Sequence, residues 1–183
     1  TVPGDFFLDC TGFASELLGK ALDTPFVDWS QWLLCDSAIA VPSKRTSAPM
    51  PFTRSTAHDG GWRWTIPLQH RSGNGMVYSS DFWSDDDARD ALLGSINDEP
   101  LAEPRVFRFT SGHRKLFWNR NCVGIGFSSN FLEPLESTGI QLIVMGVLKL
   151  TRYFPQRIID PVLRDEYNRL SICEIERIRD FII

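Results

Sequence analysis

The residues best suited to chemistry lie in one stretch, Gly124-Ile125-Gly126-Phe127-Ser128-Ser129-Asn130-Phe131-Leu132-Glu133-Pro134-Leu135-Glu136-Ser137-Thr138-Gly139. A Gly-rich strand end leads through a loop to the start of a long helix. Ser137 and Thr138 are capping types, and Gly139 has no side chain to shield its amide. The first amides of a helix lack intrahelical acceptors and sit at the positive end of its dipole, so such a start can seat an anion. The same residues also read as an ordinary capped helix, with Glu136 as an acid favoured beside the dipole.

Two further groups qualify. In Asp9-Cys10-Thr11-Gly12 a glycine directly follows a short apolar run and precedes a helical stretch, so backbone can approach a ligand there. Many α/β proteins share that pattern. In Gly60-Gly61-Trp62-Arg63-Trp64-Thr65-Ile66-Pro67 two tryptophans at i and i+2 share one face of a strand. They could line an aromatic pocket or fill a core, since Trp buries so much area. Other chemistries fit less well. His58, His70 and His113 lack metal-ligand spacing, Asp85-Asp86-Asp87 reads as a solvated helix start, and Ser137 has no G-x-S-x-G setting for a hydrolase nucleophile. No metal site is expected.

The elements that must position these residues follow from periodicity. Asp5 to Asp9 predicts a strand and about Ala14 to Leu22 a helix. A second apolar stretch runs from Trp32 to Val41 and ends at Pro42, and Ser43 to Pro51 reads as a loop. The middle of the chain predicts a β-meander. It holds Phe52 to Ala57, the Trp62–Ile66 strand with period two, a turn at Ser72-Gly73-Asn74-Gly75, and a return strand from Met76 to Ser80. Ser84 caps a helix expected to reach Ile96, and Val106 to Thr110 predicts another strand. Asn119-Arg120-Asn121 turns into Cys122–Gly126. Ile140, Ile143, Val144, Val147, Leu150 and Phe154 follow helical spacing, and Asp160-Pro161 opens a last helix.

The 183 residues suffice for one domain with a core, and the net charge of −4 gives no attraction to nucleic acid or an anionic membrane. No apolar run approaches the roughly 18 residues of a membrane span, and a cytoplasmic location is expected. Cys10, Cys35, Cys122 and Cys173 are far apart and read as buried free thiols. Thr1 at the start and an apolar Asp180-Phe181-Ile182-Ile183 at the finish suggest that both ends are cut.

Three segments together resemble the flavin-dependent tryptophan halogenases: Asp9-Cys10-Thr11-Gly12-Phe13, Trp62-Arg63-Trp64-Thr65-Ile66-Pro67 and Phe131-Leu132-Glu133-Pro134-Leu135-Glu136-Ser137-Thr138. Thr53 to His58, Pro67 to Arg71 and Arg114-Lys115 before Phe117-Trp118 add to the likeness, which runs from about Gly4 to Pro155. The resemblance implies an α/β fold. It would be a partial FAD-binding (flavin monooxygenase-like) fold with a central antiparallel β-meander and C-terminal helices. The chain, 1–183, would form a single partial domain, with an FAD-contacting strand-turn-helix in 1–22, a substrate-side sheet region in 52–126 and the flavin/halide loop with helices in 127–183.

It further implies the chemistry. Reduced FAD, supplied by a partner flavin reductase, reacts with O2 and with chloride or bromide, and hypohalous acid travels to tryptophan or a related indole. Glu136 matches the family's active-site glutamate and Ser137 the serine linking flavin and substrate sites. Thr138 and Gly139 match the halide-holding amides. Thr11, Gly12, Gly126, Phe131 and Leu132 match the flavin-contacting positions, and Trp62, Trp64, Ile66 and Pro67 form the family motif thought to discourage monooxygenation. The full enzyme could be a homodimer. The G-x-G-x-x-G fingerprint and the family's catalytic lysine do not occur among these residues and are expected upstream, so the isolated chain is expected to be inactive. An aromatic flavin monooxygenase and a non-catalytic fragment are the alternative readings.

Overall fold

A computed structural model describes residues 3–183. The chain divides into two compact units where the sequence alone suggested one: Leu34–Phe109, and the described part of Thr1–Leu33 together with Thr110–Ile183. The discontinuous unit starts with strand β1 (Phe7–Asp9), two short helical turns, and strand β2 (Phe26–Asp28).

The helical turns differ from the single helix expected over 14–22. Gly12–Ala14 is one 3-10 turn, Ser15 adopts a left-handed conformation (φ 43°), and Glu16–Ala21 forms a wide turn. In it the Lys20 amide bonds the Ser15 carbonyl at 2.9 Å and the Leu22 amide the Leu17 carbonyl at 2.9 Å. The cause is Asp9. Its carboxylate accepts from the Leu17 and Leu18 amides, at 2.9 and 2.7 Å, and so starts the second turn independently of the first.

The unit Leu34–Phe109 is an antiparallel sheet carrying one helix. Its strands are β3 (Ser37–Ser43), β4 (Arg54–His58), β5 (Gly61–Pro67), β6 (Ser72–Tyr78) and β7 (Arg105–Arg108), in the order β4-β5-β6-β3-β7. Helix α1 (Asp85–Gly94) packs Ala88 and Leu92 onto Ile39, Val41, Met76 and Tyr78. Ser84 caps it in a reciprocal box with Asp87, and the helix ends at Gly94, short of Ile96.

Two expectations fail here for clear reasons. Ser72-Gly73-Asn74-Gly75 is the first half of β6, and the turn lies before it, closed by the Leu68 amide on the Arg71 carbonyl at 2.8 Å. Gly75 is there because the Trp64 indole lies over it. A Cβ would sit 2.0 Å from Trp64 Cζ2, so the glycine marks a close approach and not a bend. Pro42, expected to end an apolar stretch, lies within β3. β7 pairs only with Ser37 to Ala40, and beyond it residues 99–101 flank that edge, where the Leu101 amide donates to the Pro42 carbonyl at 2.8 Å and no partner draws on the amide that proline lacks. The sheet therefore runs from Ser37 to Arg108, not over 52–126.

The remaining elements return to the discontinuous unit. Strands β8 (Gly112–Arg114), β9 (Trp118–Asn119), β10 (Cys122–Gly124) and β11 (Asn130–Phe131) are very short. They make two three-stranded sheets, β1-β10-β9 and β11-β8-β2, with β1 parallel to β10. Helices α2 (Thr138–Tyr153) and α3 (Pro161–Ile182) follow, the latter capped by Asp160 through the Val162 amide at 2.8 Å. The core gathers Trp29, Phe117, Trp118, Val123, Leu132, Leu150, Tyr167 and Ile175. Asn168 of α3 acts as a surrogate strand edge. Its side-chain oxygen accepts from the Trp118 amide (2.7 Å), and its amide group donates to the Trp118 carbonyl (2.9 Å). All four cysteines are free, but only Cys122 is buried, and Cys10 is exposed, against the expectation of buried thiols. Burial, with Asp9 close by, pushes the Cys122 thiol up to about 11. No helix of the described residues is long and apolar enough to cross a membrane.

Candidate functional site

The site is built around Asp9, a fully buried acid at the end of β1. Its carboxylate accepts from the Thr11 amide (3.0 Å), the Thr11 hydroxyl (2.6 Å) and the amides of Leu17 and Leu18. Burial alone would raise its pKa, but the Thr11 side chain and the Leu18, Thr11 and Leu17 amides together hold the carboxyl below its usual range. The Thr11 hydroxyl in turn accepts from the Glu16 amide at 2.8 Å. The turn Cys10-Thr11-Gly12 is thereby fixed on its inner side. Its outer side is open: Gly12 has φ +65°, and nothing lies within 4 Å of where its Cβ would be.

A second clamp ties this turn to the Gly-rich segment. The Ser128 hydroxyl donates to the Asp9 carbonyl and lies 3.0 Å from that of Ile125. The Ser15 hydroxyl donates to the Ser128 carbonyl at 2.7 Å and accepts from the Gly19 amide at 3.0 Å. Residues more than a hundred positions apart are thus locked by buried side-chain-to-backbone bonds, each contributing about 1 kcal/mol. Gly126 (φ +68°) lets the chain turn against Ile143 of α2, where a Cβ would approach Ile143 Cγ1 at 3.1 Å.

Above the clamps sits an aromatic cluster. Phe13 stacks on Phe127 with centroids 4.8 Å apart, and Phe131 packs edge-on to both at 5.1 and 5.0 Å. Phe13 and Phe127 are about half exposed, at 51% and 42%. Both rings present surface to solvent beside the open glycine turn. Leu132 points the other way, into the core.

The start of α2 closes the site. The Ser137 amide bonds the Pro134 carbonyl at 3.0 Å, and Ser137 itself is left-handed (φ 57°) and exposed. No side chain caps the helix, so the expectation that Ser137 and Thr138 serve as caps is corrected. A left-handed residue at that position turns its hydroxyl away from the amides that it would otherwise satisfy. Glu136 is exposed, while Thr138 and Gly139 are half-buried. A Cβ on Gly139 would sit 3.8 Å from the Phe127 ring, and Phe127 stacks on Phe13 beside Gly12. The aromatic cluster therefore links the helix start to the open turn.

Trp62, Trp64, Ile66 and Pro67 all lie on β5, in the other unit. Trp62 and Trp64 lie on the same face, ring centroids 5.8 Å apart, and the Trp62 indole nitrogen is buried without a hydrogen-bond partner.

The sequence pointed to Thr11, Gly12, Phe131 and the 136–139 segment, and missed what holds them. Asp9, Ser15 and Ser128 were legible in principle. An Asp two residues before a threonine and ahead of a helix is a recognised trap for free amides.

Compared with known proteins, the whole chain, residues 1–183, matches the family model described as tryptophan halogenase. The chain belongs to the tryptophan halogenase family. It is 41% identical over 182 residues to the tryptophan 7-halogenase RebH of Lentzea aerocolonigenes, covering 97% of this chain and 34% of that protein. It is likewise 41% identical over 183 residues to the tryptophan 6-halogenase ThaL of Streptomyces albogriseolus, covering 98% and 34%. Among solved structures it superposes on Xcc4156, a flavin-dependent halogenase from Xanthomonas campestris, with a TM-score of 0.97 and 49% identity, over 99% of this chain and 36% of that one. The chain thus spans about a third of the length of the curated relatives it matches. Its fold is the mixed α/β fold of the flavin-dependent halogenases, with antiparallel sheets and C-terminal helices.

Proposed function

We propose that this chain is the flavin- and halide-facing segment of a halogenase that uses reduced FAD, O2 and chloride or bromide to halogenate tryptophan or a related indole. The observation that carries the reading is the start of α2, a helix of 16 residues that no side chain caps, joined through Phe127 to the exposed aromatic cluster. An uncapped helix start offers amide donors and a positive potential, which suit a monovalent anion.

The residues present fit a flavin. Gly12 presents backbone with nothing above it, and Phe13, Phe127 and Phe131 offer ring surface to a planar heterocycle. Thr11, Gly12 and Phe131 would contact the cofactor, with Gly126 and Leu132 shaping the wall behind them. When bound, reduced FAD supplies the two-electron activation of O2 that makes halide electrophilic. The amides of Thr138 and Gly139 would hold halide beside it. The exposed Glu136 carboxylate would orient the electrophile and take the ring proton of the indole, and Ser137 fixes the spacing between the two. A partner flavin reductase would supply the reduced cofactor, and the full-length enzyme could dimerise.

The test uses the full-length protein with a flavin reductase, FAD, O2, tryptophan and either NaCl or NaBr. Mass spectrometry should show a monohalogenated product that switches with the halide. Glu136→Gln should lower the rate by about 100-fold or more, as expected for loss of a proton-transfer group. Hydroxylated indole formed without halide would replace this reading with an aromatic monooxygenase.

A further inference from the structure

A cleft of about 310 Å³ opens on the sheet unit, within the roughly 300–1,000 Å³ range of small-molecule sites. Its lining comes from β3 to β6 and the loops around residues 45–52 and 95–98, on the face that carries α1. Trp62 and Trp64 alternate with Arg63 and Thr65 along β5, so the tryptophans project from the opposite face. Arg63, Thr65 and Pro67 of the Trp-containing motif line the cleft, while its two tryptophans do not.

Three arginines line it: Arg45, Arg54 and Arg63. Arg45 is fully engaged, donating to the backbone carbonyls of Leu68 (2.9 Å), Gln69 (2.6 Å) and Ser47, so it ties the walls together. The Arg54 side chain makes no hydrogen bond or ion pair among the described residues. Arg63 reaches the Ser95 carbonyl through one Nη at 3.2 Å, but its Nε is buried with no partner. A buried donor without an acceptor costs about 1–3 kcal/mol. The one carboxylate in the lining, Asp98, already accepts from the Thr46 hydroxyl at 2.5 Å.

The register places Arg54 and the partly engaged Arg63 side by side. Arg54 faces Thr65 and Thr56 faces Arg63, so Arg54 and Arg63 are diagonal neighbours on one face. Thr65 pairs with Asn74, which continues a polar floor into β6. Facing that floor are Met50, Phe52 and Ile96, of which Met50 and Phe52 are about half exposed. Two arginines on one face of the sheet, lining a cleft with an apolar wall, suit a planar, singly charged group attached to an apolar body.

We infer that this cleft binds a small organic carboxylate, its carboxylate on Arg54 and Arg63 and its apolar part against Met50, Phe52 and Ile96. The inference is independent of the halogenation chemistry. The probe is benzoate, titrated into the protein while the amide resonances of Thr65 and Asn74 are followed. Saturable shifts are expected, with a Kd of about 1 mM or tighter. Arg54→Met and Arg63→Met should each weaken binding by roughly tenfold or more, and Arg89→Met on α1 should leave it unchanged. Arg54 is exposed, so Arg54→Met tests the site even if Arg63→Met fails to fold. The inference is overturned by an absence of saturation up to about 10 mM, or by binding that Arg54→Met leaves intact. It is also overturned if benzyl alcohol binds as well as benzoate, or if inorganic phosphate competes equally.

Discussion

The two units achieve order in opposite ways. The sheet unit uses strands of four to seven residues, regular register and an apolar layer under α1. The unit with the candidate site uses strands of two or three residues. It compensates with buried polar side chains that grip distant backbone: Asp9, Ser15, Ser128 and Asn168. A site that must expose glycine turns and bare amides cannot be built on a long regular sheet, because the ladder would consume those amides. Side-chain clamps leave them free. The consequence is that the two units should fail in different ways.

The largest effect is expected at Asp9. Asp9→Asn keeps the shape but turns an NH2 toward amides that need an acceptor, and should cost about 3 kcal/mol in urea unfolding. The pH dependence gives a second check. The folded pKa is depressed, so the stabilisation is complete above the unfolded value near 3.8 and is lost as pH falls through the lower folded value. The gap between wild type and Asp9→Asn should therefore narrow below pH 3.8. A constant gap would remove the charge from the argument.

The sheet unit should break through packing. Gly75→Ala drives a methyl into the Trp64 indole and should cost about 2 kcal/mol. Trp64→Ala in the same chain should restore most of that loss, since it removes the obstacle. Simple additivity of the two in a double-mutant cycle would show that the contact is not the cause.

The smallest effect is at His113, buried on Trp29 and Phe117 with its Nδ1 2.8 Å from the Arg114 carbonyl. Burial depresses its pKa below 6.5. The unfolded chain takes up a proton first as pH falls below 6.5, so stability should decline by less than about 1 kcal/mol between pH 7 and 5.5. His113→Gln should flatten that slope, and an unchanged slope would assign it elsewhere.

Legibility followed the same division. The alternation at Trp62 to Ile66, the Ser84 cap and the Asp160-Pro161 helix start are local devices, and each stands where its residues imply. Gly73 and Gly75 misled because a glycine in a strand and a glycine in a turn look alike until the indole over Gly75 is seen. The missed break at Ser15 depends on Asp9 reaching back over eight and nine residues, which no helical periodicity encodes.

By itself the sequence determined the long helices, the central strand alternation and the motifs that mark the family, because those depend on neighbours within a few positions. Only the tertiary structure decided the uncapped start of α2, the cluster of Phe13, Phe127 and Phe131, and the Asp9 and Ser128 clamps. The aromatic cluster and the Ser128 clamp join segments more than a hundred residues apart, and the Asp9 carboxylate and the left-handed Ser137 depend on conformations that helical periodicity does not encode.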